Sequence, residues 1–156
     1  MSFVPRSSGV TALCLALAIG AVTACKTAPL VDPPRIAAAT SPDASRAAIV
    51  RALVACEYVI DEESPGRIRA RLQGGGWAMI VDILYDHDIS IHYTDSVGLS
   101  YQLKNDVAYI HKGYNSRAEE LAEEIRRQVM LVSLENRPVP RVSSPPTPTP
   151  PPASSP

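Results

Sequence analysis

Three short runs between Arg67 and Tyr93 constrain the fold more than any other part of the chain. In Arg67-Ile-Arg-Ala-Arg-Leu72, the apolar residues Ile68, Ala70 and Leu72 alternate strictly with Arg67, Arg69 and Arg71. Successive side chains of a strand point to opposite faces, so this segment predicts a half-buried strand with an arginine comb on its wet side. After the break at Gly74-Gly75-Gly76, alternate residues Trp77, Met79, Val81, Ile83 and Tyr85 share one face of a second strand. Asp86-His87-Asp88 then turns the chain into Ile89-Ser-Ile-His-Tyr93, with Ile89, Ile91 and Tyr93 inward and Ser90 and His92 outward. Upstream, Tyr58 to Glu63 and a Ser64-Pro65-Gly66 turn form a hairpin with the arginine strand. The expectation is a four-stranded antiparallel meander.

Helix signals flank it. Ser41-Pro42-Asp43 supplies a capping hydroxyl, a proline suited to the first helical position and an acid where the helix dipole favours one. Ile49, Val50, Leu53 and Val54 follow at helical spacing, predicting a helix from about Pro42 to Cys56. Ser116-Arg-Ala-Glu119 reads as a capping box that opens a second helix, with Leu121, Ile125, Val129 and Val132 on one stripe and Glu123 paired with Arg127. That helix should end near Leu134, ahead of Pro138 and Pro140. Between sheet and helix, Thr94 to Gly113 is polar and turn-rich but bracketed by Tyr93, Tyr101, Tyr109 and Tyr114, which predicts a long ordered loop packed on the sheet. The fold class is α+β over residues 41–135: helix, four-stranded antiparallel meander, long ordered loop, C-terminal helix.

The two ends have different compositions. Residues 1–24 hold one basic side chain, Arg6, and an uncharged run from Val10 to Val22, which reads as an export signal. The run is shorter than the ~20 residues a membrane-crossing helix needs. Val22-Thr23-Ala24-Cys25 resembles a bacterial lipobox, and the resemblance implies that Cys25 receives a diacylglyceryl group and becomes the new N-terminus; ordinary cleavage after Ala24 is the alternative. With several acyl chains the anchor would be lasting. Lys26, rather than Asp, follows the cysteine, which by the usual lipoprotein sorting rule permits transfer to the outer membrane in a Gram-negative host, where the expected location is its periplasmic face. Residues 25–40, with three prolines, read as a tether to the domain. Residues 136–156 carry nine prolines among 21 residues and read as a disordered tail, with a role as an extended arm toward the cell wall as the other possibility.

What remains, residues 25–135, is too short for most two-domain enzymes. Without Arg6 the mature chain has 14 basic against 16 acidic residues, so it lacks the basic surplus of a nucleic-acid binder. Cys14 leaves with the leader and Cys25 is the lipid site, so the lone Cys56 closes no intramolecular disulfide and reads as a packed core thiol. His87, His92 and His111 show no metal-ligand spacing, and no metal or other cofactor is expected. A hydrolytic triad could recruit Ser96, His92 or His111, and Asp95, but the Gly-x-Ser-x-Gly elbow is missing, so no catalytic residue is assigned. The triple glycine is followed by no Gly-Lys-Ser/Thr and does not read as a phosphate cradle. Arg67, Arg69 and Arg71 form a candidate interaction face for an anionic partner, unless Asp61, Glu63 and Asp82 neutralise them across strands.

The order Ile83-Leu-Tyr-Asp86, Ile89-Ser-Ile-His-Tyr-Thr-Asp-Ser96, Leu99-Ser-Tyr101, Ile110-His111 and Tyr114-Asn115 resembles a family of small, uncharacterised bacterial lipoproteins. The resemblance spans about Ile49 to Ile125 and implies no particular activity. The same residues, Asp95, Ser96, Tyr101, His111, Tyr114 and Asn115, form the candidate cluster: either hydrogen-bonded scaffolding at a structural joint or a small ligand pocket. The expected role is non-enzymatic, an anchored envelope lipoprotein that contacts an envelope protein or wall polymer. Its alternative is a small-ligand binder or sensor at the Asp95 to Asn115 loop. Self-association through a sheet edge is left open.

Overall fold

The computed structural model describes residues 26–136; the leader, Cys25 and the tail from residue 137 onward lie outside the described residues. Among these, ten elements follow in order: β1 (Thr27–Pro29), β2 (Ile36–Ala37), α1 (Pro42–Ala55), β3 (Val59–Ser64), β4 (Arg67–Gly74), β5 (Trp77–Tyr85), β6 (Asp88–Val97), β7 (Gln102–Lys104), β8 (Val107–His111) and α2 (Gly113–Glu135). All strand pairs are antiparallel, in a five-stranded sheet of order β2-β6-β5-β4-β3 and a three-stranded sheet of order β1-β8-β7. The protein is α+β, with the meander β3 to β6 inside the larger sheet.

Alternation decides which face is covered. Ile68 opposes Ile83, Ala70 opposes Val81 and Leu72 opposes Met79, and all six are buried on the face that receives the helices. Each fully buried aliphatic side chain contributes about 1.5–3 kcal/mol, so one face outweighs the other and fixes the register. The turns agree with their residues. Pro65-Gly66 joins β3 to β4, with Gly66 at φ 79 and Pro one position before it, the signature of a type II turn. Asn105-Asp106 joins β7 to β8 with φ of 49 and 62, as a type I′ hairpin requires.

The helices cover the sheet with unequal faces. Ser41 caps α1, its Oγ accepting from the Ala44 amide at 3.2 Å. The buried side of α1 is mostly alanine (Ala44, Ala48 and Ala52) with Ile49 and Leu53, whereas Val54 is 71% exposed. These small side chains let α1 pack closely on α2, where Ala118, Leu121, Ala122 and Ile125 are buried. No helix among the described residues is long and apolar enough to cross a membrane.

Four expectations are corrected. The segment expected as a tether is part of the fold: Thr27 to Pro29 pair with Tyr109 to His111, and Ile36-Ala37 extend the large sheet beside Asp88-Ile89, so the sheet has five strands rather than four. Free edges on β6 and β8 accept these short strands, which alternation alone cannot reveal in two or three residues. Thr94 to Gly113 is not one loop, because β6 continues to Val97 and β7 and β8 form a hairpin. The capping box is not used. α2 opens one turn earlier, at Gly113, with no side-chain cap, and Ser116 Oγ instead donates to the Lys112 carbonyl at 3.4 Å. Finally, Glu123 pairs with Arg126 and Glu124 with Arg127, so Glu123 and Arg127 are not partners.

Candidate functional site

The arginine comb lies on the open face of the five-stranded sheet, and its charge is met within that face. Arg69 grips Asp82 through two bonds of 2.8 and 2.9 Å, Arg67 donates to Glu62 at 2.7 Å, and Arg71 donates to Asp61 at 2.9 Å. Arg69 beside it holds the Asp82 carboxyl below the usual carboxylate range, with a smaller pull from Arg67. Asp61 and Asp82 act as the sequence suggested. Glu62 takes the place expected of Glu63, because a β-bulge between Ile60 and Glu62 shifts the register and leaves Glu63 to bond Arg46.

A second bulge sorts the candidate cluster. The β5–β6 register shifts between Ile80 and Val81, so Val81 opposes Tyr93 while Ile80 opposes Asp95 and Met79 opposes Ser96. One extra residue therefore turns Ser96 to the buried face and Asp95 to the open one. Asp95 accepts from the neighbouring Ser96 amide at 2.7 Å. Ser96 Oγ lies 3.1 Å from the Tyr93 hydroxyl, and Tyr93 stacks on Tyr101 at 4.9 Å and meets Tyr114 edge-on at 5.5 Å. Ser96, Tyr101 and Tyr114 are thus joined through Tyr93. Asn115 faces elsewhere: its Nδ2 donates to the Pro29 carbonyl at 2.8 Å and its Oδ1 accepts from the Val31 amide at 3.3 Å.

The remaining cluster member, His111, opens onto a cleft of about 300 Å³ between the start of β5, the β6–β7 connection and the start of α2. Trp77, Met79, Leu99 and Tyr114 give it an apolar lining, and His111 and Arg117 supply its polar groups. Glycines shape it. A Cβ on Gly98, at φ 66, would stand 2.3 Å from the Gly76 carbonyl oxygen, so glycine lets the wall close against the β4–β5 turn. A Cβ on Gly74 would meet the Trp77 indole at 2.6 Å, so that glycine seats the ring. Gly74 thus packs on Trp77 and Gly76 against Gly98.

Polar groups around the cleft are unevenly satisfied. His111 Nδ1 accepts from the Gly113 amide at 3.2 Å, and the His111 amide donates to the Leu99 carbonyl at 2.8 Å, which ties the two walls. Tyr114 is 1% exposed and its hydroxyl has no hydrogen-bond partner among the described residues. Burial pushes that hydroxyl's pKa well up, so it is a neutral donor at physiological pH. Arg117 pairs with Glu120 at 2.8 Å, both side chains more than half exposed. Sequence reasoning missed Trp77, Met79, Leu99 and Arg117 as neighbours of His111. The available signal was Gly98-Leu99 following a strand, a glycine placed where two turns meet.

The triad drawn from Ser96, His92 or His111, and Asp95 does not assemble, since Ser96 bonds Tyr93 and Asp95 lies on the open face. A different chain does form: Asp32 Oδ2 lies 2.8 Å from His92 Nδ1, and His92 Nε2 lies 3.0 Å from Ser90 Oγ. Ser90, expected to face outward to solvent, is only 7% exposed, and a nucleophile must be reachable, so this chain reads as a pin holding the segment before β2 against β6. Cys56 is half-buried and its thiol is pushed up by burial and then by Glu120, opposite to an activated thiolate. No three His, Cys, Asp or Glu residues among those described are placed to hold a metal ion. Compared with protein-family models, curated proteins and solved structures, the chain matches none.

Proposed function

We propose that the protein is a lipid-anchored, non-enzymatic envelope lipoprotein whose folded domain holds a small ligand in the cleft beside His111. The cleft carries this reading: about 300 Å³, lined mainly by apolar side chains, with His111 and Arg117 as its polar groups. The anchor rests on the Cys25 lipobox and the leader before it. Capture of an anionic protein or wall polymer by Arg67, Arg69 and Arg71 is less supported, because Asp61, Glu62 and Asp82 already meet those charges.

The test is purification of the full-length chain from envelopes, with mass spectrometry of whatever denaturation releases and of any protein crosslinked to it. His111→Ala and a triple Arg67→Ala, Arg69→Ala, Arg71→Ala variant are run beside it. A small molecule released from the native chain and lost with His111→Ala supports the cleft. A partner protein lost only in the triple variant, with no released molecule, moves the function to the sheet face. The Cys25→Ala variant should itself carry no acyl chain and be lost from the membrane fraction; acylation equal to the native chain's would remove the lipobox reading.

A further inference from the structure

We infer that the ligand of this cleft is a single-chain anionic amphiphile, a fatty-acid carboxylate, with its apolar chain against Trp77, Met79 and Leu99 and its head toward Arg117. The inference rests on the cleft reading above and adds the ligand's chemistry. Four observations carry it. The inner lining is apolar, so a polar body would lose its hydration there without recovering hydrogen bonds, whereas an alkyl chain loses nothing. The polar side chains are of one kind: Arg117 and His111 can both donate, and among the described residues no carboxylate lines the cleft.

The third observation is the start of α2. The helix opens at Gly113 on the cleft wall with no cap from the Lys112 side chain and no acidic residue in its first turn, so only the neutral acceptor His111 Nδ1 meets its first amide, and Arg117 adds a full positive charge one turn later. Among the described residues Arg117 pairs with Glu120 in an exposed, weak ion pair, which a carboxylate can displace by forming a bidentate contact. The fourth is position. The Lys26 carbonyl accepts from the Lys112 amide at 2.8 Å, so the chain leaves the folded domain toward residue 25 beside His111 and Gly113. With the expected tether folded into β1, an acylated Cys25 holds this side of the domain, and the cleft with it, near the bilayer surface from which fatty acids partition.

The experiment uses the full chain in its own membrane. A photoreactive long-chain carboxylic acid carrying a diazirine near its terminal carbon, and its uncharged methyl ester, are each crosslinked in intact envelopes, and the labelled peptides are mapped. The acid should label peptides containing Trp77, Leu99 or Tyr114 more than the arginine strand Arg67–Leu72. Arg117→Glu, at an exposed position that leaves the core untouched, should lower that yield by roughly tenfold, the worth of one charge-assisted contact of about 1.4 kcal/mol. Lys104→Glu, a charge reversal away from the cleft lining, should change nothing.

Equal labelling by acid and ester, insensitive to Arg117→Glu, overturns the anionic head. Labelling spread evenly over the domain overturns the fatty-acid site. If the acid fails to label the cleft while another released molecule protects it, the ligand class is wrong and the cleft reading stands. If neither the acid nor any released molecule occupies the cleft, both fall.

Discussion

At Glu57 a single residue carries strain that its side chain does not need. Glu57 sits at φ 61, just past α1, where the Tyr58 amide donates to the Leu53 carbonyl at 2.8 Å and the Glu57 amide to the Val54 carbonyl at 3.2 Å. This is a Schellman closure, whose left-handed position favours glycine because a Cβ crowds the following carbonyl. Among the described residues the exposed Glu57 side chain makes no hydrogen bond that would offset that cost. Glu57→Gly should therefore stabilise the protein by about 0.5–1 kcal/mol, read as a higher midpoint in urea with an unchanged slope. A lower midpoint would mean that the carboxylate has a role the geometry lacks. Such detail is hard to read in the sequence. Glu57-Tyr58 looks like the end of a helix and the start of a strand, but nothing in those letters announces a positive φ. Gly98 is the converse: its letter suggested a loop, while its packing against the Gly76 carbonyl, which shapes the cleft, depends on two turns meeting in space.

Elements were legible wherever periodicity ran long enough to be decided by burial. Ile68, Ala70 and Leu72, and the alternation from Trp77 to Tyr85, placed β4 and β5 because every second side chain had to leave water. Short strands were not legible, since β1 and β2 form only by borrowing free edges. Helix starts divide in the same way, and two substitutions separate them. Ser41→Ala should cost about 1 kcal/mol because Ser41 Oγ caps the Ala44 amide, whereas Ser116→Ala should cost less than about 0.5 kcal/mol because Ser116 lies inside α2. Equal losses in thermal unfolding would restore the capping box. The ion pairs of the open sheet face set an acid limit. Asp82 has a depressed pKa in the folded state through Arg69 and Arg67, so its contribution is present above the unfolded value near 4 and is lost as pH falls below it. Stability should drop as pH falls from about 4 toward the lower folded-state value of Asp82, and Asp82→Asn, already without that contribution at neutral pH, should flatten this part of the profile. An unchanged profile would show that the pair contributes nothing to folding.

Across the whole molecule, residues 26–37 join the two sheets a second time, beside the β6–β7 connection. β1 pairs with β8 in the small sheet, and β2 pairs with β6 in the large one, so residues 26–37 bridge them. Between these strands the segment is held by side chains: Asn115 binds Pro29 and Val31, Asp32 binds His92, and Arg35 binds Asp88. Asn115, expected at a functional cluster, is thus the clasp between α2 and this strap, and it stands beside Tyr114, which forms part of the cleft. If Cys25 carries lipid, any pull on the anchor is borne by β1 and this clasp before it reaches the core. Asn115→Ala removes one donor and one acceptor from backbone groups at a partly open site, a loss of about 1–2 kcal/mol. Hydrogen exchange should speed at the Val31 and Lys112 amides, while Val81 and Ile83 in the central strand exchange as before. Faster exchange throughout the sheet would mean that the strap is needed for the whole fold. Protection unchanged at Val31 would mean that β1 is held by its pairing with β8 alone.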